Sequence, residues 1–147
     1  MKSLKILALV LVFTLPSLPA SADRDDDGEA CYSVDAKRGW QHIYLAGPFS
    51  RVLSIDGTWT ADLTTLDRVG AEGYVGEESF TGDYSGLQYD EDLPLGALLI
   101  GVPGASYSLL NTPQDLTQPI INVAMRINDN DLNLGDNLGS LRVCFGN

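Results

Sequence analysis

The sequence predicts an all-β domain, an antiparallel β-sandwich of about eight strands. Short segments alternate apolar and polar residues, turns rich in glycine and proline separate them, and the chain after the leader shows no helical stripe of apolar residues. Fifteen glycines, seven prolines and a charged fraction of 20% argue against a coiled coil or a long helical bundle. With 147 residues, 44% of them hydrophobic, the chain is long enough for one packed domain.

The N-terminal segment has the composition of a signal peptide. Residues 1–22 combine a basic start, an apolar core and a small-residue cleavage site that ends at Ala22. A retained membrane anchor is the alternative, although the apolar run is short for a bilayer span. We therefore expect a secreted or periplasmic protein with an acidic tail over residues 23–30 and one folded domain over residues 31–147.

The chain is strongly acidic, with a formal net charge of −11 and a pI of about 4.2. Loss of Lys2 and Lys5 with the signal peptide takes the net charge to −13. Nucleic acids and anionic membrane surfaces both attract proteins through Lys and Arg. We therefore expect no nucleic-acid partner and no membrane insertion of the mature chain.

Four segments carry the clearest strand patterns: Arg51–Thr60, Gly96–Val102, Ile121–Asn128 and Gly139–Phe145. In the first, Leu53, Ile55 and Trp59 all stand at odd-numbered positions, which in a strand point to the same face. The second is a continuous apolar run, typical of a central strand that is buried on both faces. In the last two every second residue is apolar, namely Ile121, Val123, Met125 and Ile127, then Leu141, Val143 and Phe145.

The predicted turns lie where Gly, Pro, Asn and Asp cluster between these segments. They are Ala46-Gly47-Pro48, Asp56-Gly57, Val102-Pro103-Gly104 and Asn111-Thr112-Pro113. Each of these turns is expected to end one strand and begin the next.

The two cysteines stand near opposite ends of the mature chain. Cys31 and Cys144 are expected to form a disulfide in an oxidising compartment, with two buried free thiols as the alternative. Such a bond would close nearly the whole domain into one loop and make the first and last strands of the domain neighbours.

The residues that catalysis needs are scarce. His42 is the single histidine, and its place in an alternating segment indicates a partly exposed strand residue. The chain has no nucleophile elbow and no glycine-rich phosphate loop. We therefore expect a protein that is not an enzyme. A small glycosidase with paired carboxylates is the remaining catalytic alternative.

Residues 126–140, RINDNDLNLGDNLGS, form the most informative segment. Five Asp and Asn side chains are crowded into it: Asp129, Asp131, Asn133, Asp136 and Asn137. Carboxylate and amide oxygens suit Ca²⁺, and without a cation the three carboxylates would repel one another. The spacing is not that of an EF-hand, because the Gly comes one place late and Ser140 replaces the bidentate Glu. An Asx-rich hairpin turn is the alternative.

This loop and the strand after it resemble the calcium loop of the LecA-like (PA-I type) galactose-binding bacterial lectins. Three upstream pieces agree with the resemblance: Gly39-Trp40-Gln41, Gly57-Thr58-Trp59 and Gly96-Ala97-Leu98. Together they cover most of the mature chain. The resemblance implies a sandwich of the jelly-roll or galactose-binding-like kind that binds sugar without catalysis.

The resemblance also implies a ligand set for calcium. Asp129, Asp136 and Asn137 would contribute side-chain oxygens, and Asn133 and Asp62 would contribute backbone carbonyls. Two vicinal sugar hydroxyls would complete the calcium shell, so the residues implied to contact sugar lie in the same loop. They are Asp129, Asn130, Asn133, Asp136 and Asn137.

This chain departs from the lectin pattern at three places. Asp136 stands where the lectins have Asn, and Asp62 stands where they have Tyr. Their sugar-contacting His and Gln have no counterpart, and Asp83 and Tyr84 lie nearest to those positions. Tyr84 or Tyr89 would supply a stacking face, or both would simply cap the sandwich.

The sequence thus predicts a secreted, calcium-dependent lectin whose ligand is galactose or another glycan with vicinal hydroxyls. The sequence leaves the oligomeric state open, and a homo-oligomer is one alternative because lectins of this kind gain avidity by assembling. The alternative function is a calcium-stabilised structural or adhesion module without a sugar site.

Overall fold

A computed structural model describes residues 28–76 and 86–147 and the backbone of residues 23–24. The strands are β1 (Asp23–Arg24), β2 (Ala30–Asp35), β3 (Gln41–Thr60), β4 (Leu98–Gly101), β5 (Ser108–Leu109), β6 (Gln114–Ile127) and β7 (Leu138–Gly146). A 3-10 helix at Leu134–Asp136 is the only helix in the described ranges. The predicted signal peptide and residues 77–85, with Asp83 and Tyr84, lie outside the described residues.

All seven described strands belong to one antiparallel sheet in the order β1-β2-β7-β3-β6-β4-β5. The prediction of an all-β antiparallel fold is therefore confirmed. The apolar run predicted as a central strand contains β4, which lies between β5 and β6 with both faces largely buried.

The strand β3 is 20 residues long and changes its pairing partner along its length. Its first part pairs with β6, and its second part, from Arg51 to Thr60, pairs with β7. The pairing register with β6 shifts between Tyr44 and Phe49, at the predicted turn Gly47-Pro48. That turn, and the one predicted at Asp56-Gly57, are wrong as strand boundaries, because β3 continues through both.

Gly57 has a structural role other than a turn. Its φ is +102°, and a Cβ atom placed there would lie 2.7 Å from the carbonyl oxygen of Ser140 on β7. Glycine therefore permits β3 and β7 to approach closely, which is why a strong turn signal falls inside a strand.

The two halves of the sheet share one hydrophobic core. Its side chains include Val34, Val143 and Phe145 from the β2-β7 half and Val123, Met125 and Ile127 from β6. Tyr32 of β2 links the halves, because its hydroxyl accepts a 2.8 Å hydrogen bond from the Ala46 amide of β3. The strands predicted to form the layers of a sandwich thus belong to one hydrogen-bonded sheet with one core.

The apolar alternation predicts most of the buried positions correctly. In the last strand Leu141, Val143 and Phe145 are all fully buried. In β6 the pattern fails at two places: at its start, where Ile120 is buried and Ile121 is exposed, and near its end, where Arg126 is buried. The first of these failures has a local cause. The cause is the local shift of register, which turns the neighbouring side chain inward.

The predicted disulfide is present between Cys31 and Cys144. The two residues are directly opposite each other on β2 and β7, so the first long strand and the last strand of the domain are neighbours as expected. At the outer edge of β2, the backbone of Asp23–Arg24 from the acidic segment forms the short strand β1. No helix in the described part of the chain is long and apolar enough to cross a membrane.

Candidate functional site

The loop between β6 and β7 is fastened at its start by Asn128. Its side-chain amide nitrogen donates to the carbonyl oxygens of Asp90, Leu93 and Pro94 at 2.9–3.0 Å. Its side-chain oxygen accepts a 2.8 Å hydrogen bond from the Asp90 amide. A fully buried side chain with all of these bonds holds the loop against the segment that leads into β4.

Arg126, near the end of β6, also fastens this loop. Its Nη2 donates to the carbonyl oxygen of Asp129 and to Oδ1 of Asp131, both at 2.7 Å, and its Nε donates to the carbonyl of Ile127. The guanidinium group is buried, with 1% of the residue exposed. Asp131 is therefore turned toward Arg126 and away from the other acidic side chains of the loop.

The loop encloses a small cavity of about 170 Å³ together with the turn that follows β3. Four of the five residues predicted to bind calcium line it, namely Asp62, Asp129, Asn133 and Asp136. The rest of the lining is Ala61, Leu66, Leu87 and Leu95, so apolar walls surround the oxygen atoms.

Two side-chain oxygens at this site are buried without a hydrogen-bond donor. They are Oδ2 of Asp129 and Oδ1 of Asn137, and the one other such atom among the described residues is Oε1 of Gln88. Asn137 is fully buried, and its amide nitrogen donates to the carbonyl oxygen of Ala36 at 2.9 Å. An unpaired buried acceptor is costly, so two of them in one predicted metal site require a partner.

The carboxyl group of Asp129 has a strongly perturbed pKa. The pKa is raised from 3.8 to about 6, chiefly by burial and to a smaller extent by the nearby charge of Asp136. The side chain of Asn137 and the charge of Arg126 oppose this shift. The net effect is that the negative form of Asp129 is poorly stabilised by the protein alone.

Asp62 is placed by the sequence that follows it. Its carboxylate accepts hydrogen bonds from the backbone and hydroxyl of Thr64 and from the hydroxyl of Thr65, and these bonds lower its pKa to about 2. Its carbonyl oxygen, the predicted calcium ligand, accepts hydrogen bonds from Thr60 Oγ1 at 2.9 Å and from the Leu66 amide at 3.1 Å. That carbonyl is thus already hydrogen-bonded, unlike the unpaired oxygens of Asp129 and Asn137.

Asn130, predicted to contact sugar, makes bonds that shape the loop. Its amide nitrogen donates to the Gly86 carbonyl at 3.1 Å, and its side-chain oxygen accepts from the Leu132 amide at 3.0 Å. The backbone amide of Asn130 donates to Leu87. These contacts join the loop to residues 86–87, immediately after the segment that contains Asp83 and Tyr84.

The motif pieces upstream of the loop meet in the structure. Trp59 is fully buried, and its indole nitrogen donates a 2.7 Å hydrogen bond to the carbonyl oxygen of Gly96. The two short patterns Gly57-Thr58-Trp59 and Gly96-Ala97-Leu98 therefore lie together beneath the candidate site.

A second cluster of metal-ligating residue types does not form a metal site. Glu29 lies 3.1 Å from the sulfur of Cys31, but Cys31 and Cys144 are joined in the disulfide. Their sulfur atoms are therefore not thiolates that could bind a cation.

Arg126 and Asn128 are the residues that the sequence analysis missed. The alternation in β6 puts Arg126 with Asn122 and Ala124 on the face opposite the core, which predicts exposure. The available signal was an arginine and an asparagine immediately before a loop with three carboxylates, where a charge partner and a loop anchor are needed.

Comparison of the chain with protein-family models and with curated proteins finds no match to either.

Proposed function

We propose that this protein binds a calcium ion in the cavity beside Asp129 and binds carbohydrate through it. The pair of unpaired buried oxygens on Asp129 and Asn137 is the observation that carries the proposal. Both atoms are acceptors, so neither can satisfy the other, and a cation between them and Asp136 would satisfy all three groups.

The chemistry of the donor set favours calcium among biological cations. The predicted ligands are carboxylate, amide and carbonyl oxygens, which suit a hard ion. No His or Cys lines the cavity among the described residues, so the nitrogen and sulfur ligands of a zinc site are lacking. Asp129 and Asp136 together would offset the charge of a divalent ion.

Two of the predicted ligands, Asp129 and Asn137, offer unpaired oxygens. Asp136 and Asn133 line the cavity, and the Asn133 carbonyl accepts a 3.2 Å hydrogen bond from the Asp136 amide. Asp62 also lines it, and calcium binding through its carbonyl would compete with the hydrogen bonds from Thr60 and Leu66. The role of Asp62 as a fifth ligand stays a prediction.

When bound, calcium would offer coordination positions to two vicinal hydroxyls of a sugar. The protein side of that contact is the exposed edge of the loop, where Asp136 is open to solvent and Asn133 is half-buried. Galactose is one candidate, and any glycan with suitably placed vicinal hydroxyls is another. The resemblance to the LecA-like lectins supports a binding function without catalysis.

Thermal unfolding with EDTA and with 1 mM calcium tests the metal site. A micromolar dissociation constant would stabilise the folded protein by about 4 kcal/mol at that concentration. For a domain of this size the melting temperature would rise by roughly 10 °C or more. An unchanged melting temperature would leave the loop as an Asx-rich turn and remove the mechanism for sugar binding.

A glycan column separates the lectin from a calcium-stabilised structural module. The lectin binds an immobilised galactoside or related glycan in calcium and elutes with EDTA, whereas the structural module gains stability from calcium but is not retained. Turnover of an aryl glycoside by the purified protein would point to the glycosidase alternative instead.

A further inference from the structure

A second and larger cavity lies on the opposite face of the sheet from the core. It is a groove of about 500 Å³ over strands β3, β4 and β6, which is within the usual size range of small-ligand sites. Its floor contains Gly101 and Ala124, which are paired with each other across β4 and β6. Because these two side chains are the smallest available, the sheet surface is hollow at this point.

Aromatic rings form the walls of the groove. Trp40 lies against Gly101, and its ring centroid is 5.6 Å from that of Tyr107. Tyr44 stands at the open end with 83% of its surface exposed, and Pro103 lines the other side. The groove therefore offers flat apolar surfaces to a ligand ring.

The rings at the closed end are held in place before any ligand binds. The hydroxyl of Tyr107 donates a 3.0 Å hydrogen bond to the carboxylate of Asp90. Tyr89 packs edge-on against Trp40, with centroids 5.9 Å apart, and against Tyr107 at 5.8 Å. A preformed aromatic wall loses little conformational freedom on binding.

The charges around the groove select a neutral ligand. Arg126 lies 3.9 Å from the ring centroid of Tyr89 and 5.8 Å from that of Trp40, so a cationic ligand would meet a cation that already uses these rings. None of the described residues that line the groove is Asp, Glu, Lys or Arg. An anion would therefore find no charge partner there, on a protein whose net charge is −11.

Two polar side chains at the groove indicate that the neutral ligand carries hydroxyl groups. His42 and Asn122 both line the groove, and Asn122 is paired directly with Tyr44 across β3 and β6. A sugar ring has an apolar face of C–H bonds and a rim of hydroxyls. That combination matches aromatic walls beside an imidazole and an amide.

We propose that this groove is a second carbohydrate site, which holds a neutral sugar ring against Trp40, Tyr44 and Tyr107 without a metal ion. It takes its ligand class from the proposed function but uses none of the calcium ligands. Sugar binding at the groove is therefore insensitive to EDTA, whereas sugar binding at the calcium site is abolished by it. The glycan column that tests the calcium site is therefore run with Tyr44→Ala, in which the groove is impaired and elution by EDTA reports on the calcium site alone.

The test is calorimetric titration of the purified protein, in EDTA, with lactose, cellotriose, maltotriose and mannotriose. At least one of these saccharides binds the wild type, and Tyr44→Ala weakens that binding about tenfold or more. Tyr44 is mostly exposed, so its replacement leaves the fold intact. Ile121→Ala is the matched control, an exposed apolar residue of β6 that does not line the groove, and it leaves the affinity unchanged.

Failure of this proposal and failure of the calcium site give different results. Absence of binding by all four saccharides in EDTA, or equal binding by wild type and Tyr44→Ala, overturns the groove site whatever calcium does. Asp129→Asn removes the calcium effect and leaves the affinity in EDTA unchanged. If Asp129→Asn also abolished the EDTA-resistant binding, the proposal that the groove binds sugar independently of the loop between β6 and β7 would be contradicted.

Discussion

Asp129 illustrates at the scale of one residue how the proposed calcium site would trade stability for binding. Its carboxyl group is 99% covered and has one oxygen without a donor, beside the second carboxylate Asp136. Such a residue weakens the metal-free protein, because burying an unpaired charge is unfavourable. The same arrangement is useful once a divalent cation is present, because the cation then receives preorganised ligands.

The pKa of Asp129 predicts how stability of the metal-free protein depends on pH. Because its pKa is raised from 3.8 to about 6, this residue's contribution is fully present below pH 4 and is lost as pH rises through 6. The shift corresponds to about 3 kcal/mol lost between pH 4 and pH 7. Urea denaturation in EDTA at a series of pH values measures this loss.

Asp129→Asn is the matched control for that experiment, since asparagine has similar shape and no charge. The difference in unfolding free energy between variant and wild type should grow from pH 4 to pH 7, with the variant more stable at pH 7 in EDTA. In calcium the order reverses, because only the wild type gains from the ion. If the difference in unfolding free energy stayed constant from pH 4 to pH 7, the pKa of Asp129 would be the same in the folded and the unfolded protein, which would contradict this prediction.

At the scale of an element, the loop between β6 and β7 depends on the exact start of β7. Gly139 has a φ of +101°, and a Cβ atom there would lie 2.4 Å from the Thr58 carbonyl oxygen and 2.9 Å from the Cα of Trp59. Both neighbours are backbone atoms that cannot rotate away. Only glycine at position 139 therefore allows the end of the loop to lie against the backbone of β3, just before β3 ends at the candidate site.

Gly139→Ala is expected to destabilise the protein by about 2 kcal/mol or more, because it adds both a clash and an unfavourable φ. Gly135→Ala, four residues earlier in the 3-10 helix, is the matched control: a Cβ there meets nothing within 4 Å. Thermal unfolding of both variants in EDTA checks the expectation without the contribution of calcium. Equal melting temperatures for the two variants would contradict the close approach of β7 to β3.

The same elements show what sequence patterns can and cannot predict. The spacing of acidic residues placed Asp129, Asn133, Asp136 and Asn137 in one loop, and local spacing is sufficient for residues that are near in the chain. It could not reveal that Arg126 turns Asp131 out of that group, since burial of Arg126 depends on Trp40 and Tyr89 from distant segments.

The strand boundaries and the groove were hidden from the sequence for a related reason. Glycine predicts a turn from local preference, whereas Gly57 is needed because β7 passes close to β3 at that residue. The groove arises where Gly101 and Ala124 become neighbours through the pairing of β4 with β6. Register between strands that are far apart in the chain decides both features, and alternation within one strand carries no information about it.

At the scale of the whole molecule, the disulfide ties the two ends of the fold together. Cys31 and Cys144 are separated by 113 positions in the sequence, and they join β2 to β7 at the edge of the sheet farther from the groove. The loop of the proposed calcium site lies before β7 and is linked to the end of β2 by the bond from Asn137 to Ala36. Closure of this long loop restricts the unfolded chain far more than the folded one.

Replacement of both cysteines by serine is therefore expected to cost about 5 kcal/mol of stability, the chain-entropy value for a loop of this length. The melting temperature should fall by roughly 15 °C. Wild-type protein measured under reducing conditions is the control, and it should unfold near the same temperature as the double variant. Calcium should increase the free energy of unfolding by a similar amount in the double variant and in the wild type, since neither cysteine lines the cavity of the proposed metal site. An unchanged melting temperature in the double variant would mean that sheet pairing of β2 with β7 already restrains the chain ends without the covalent bond.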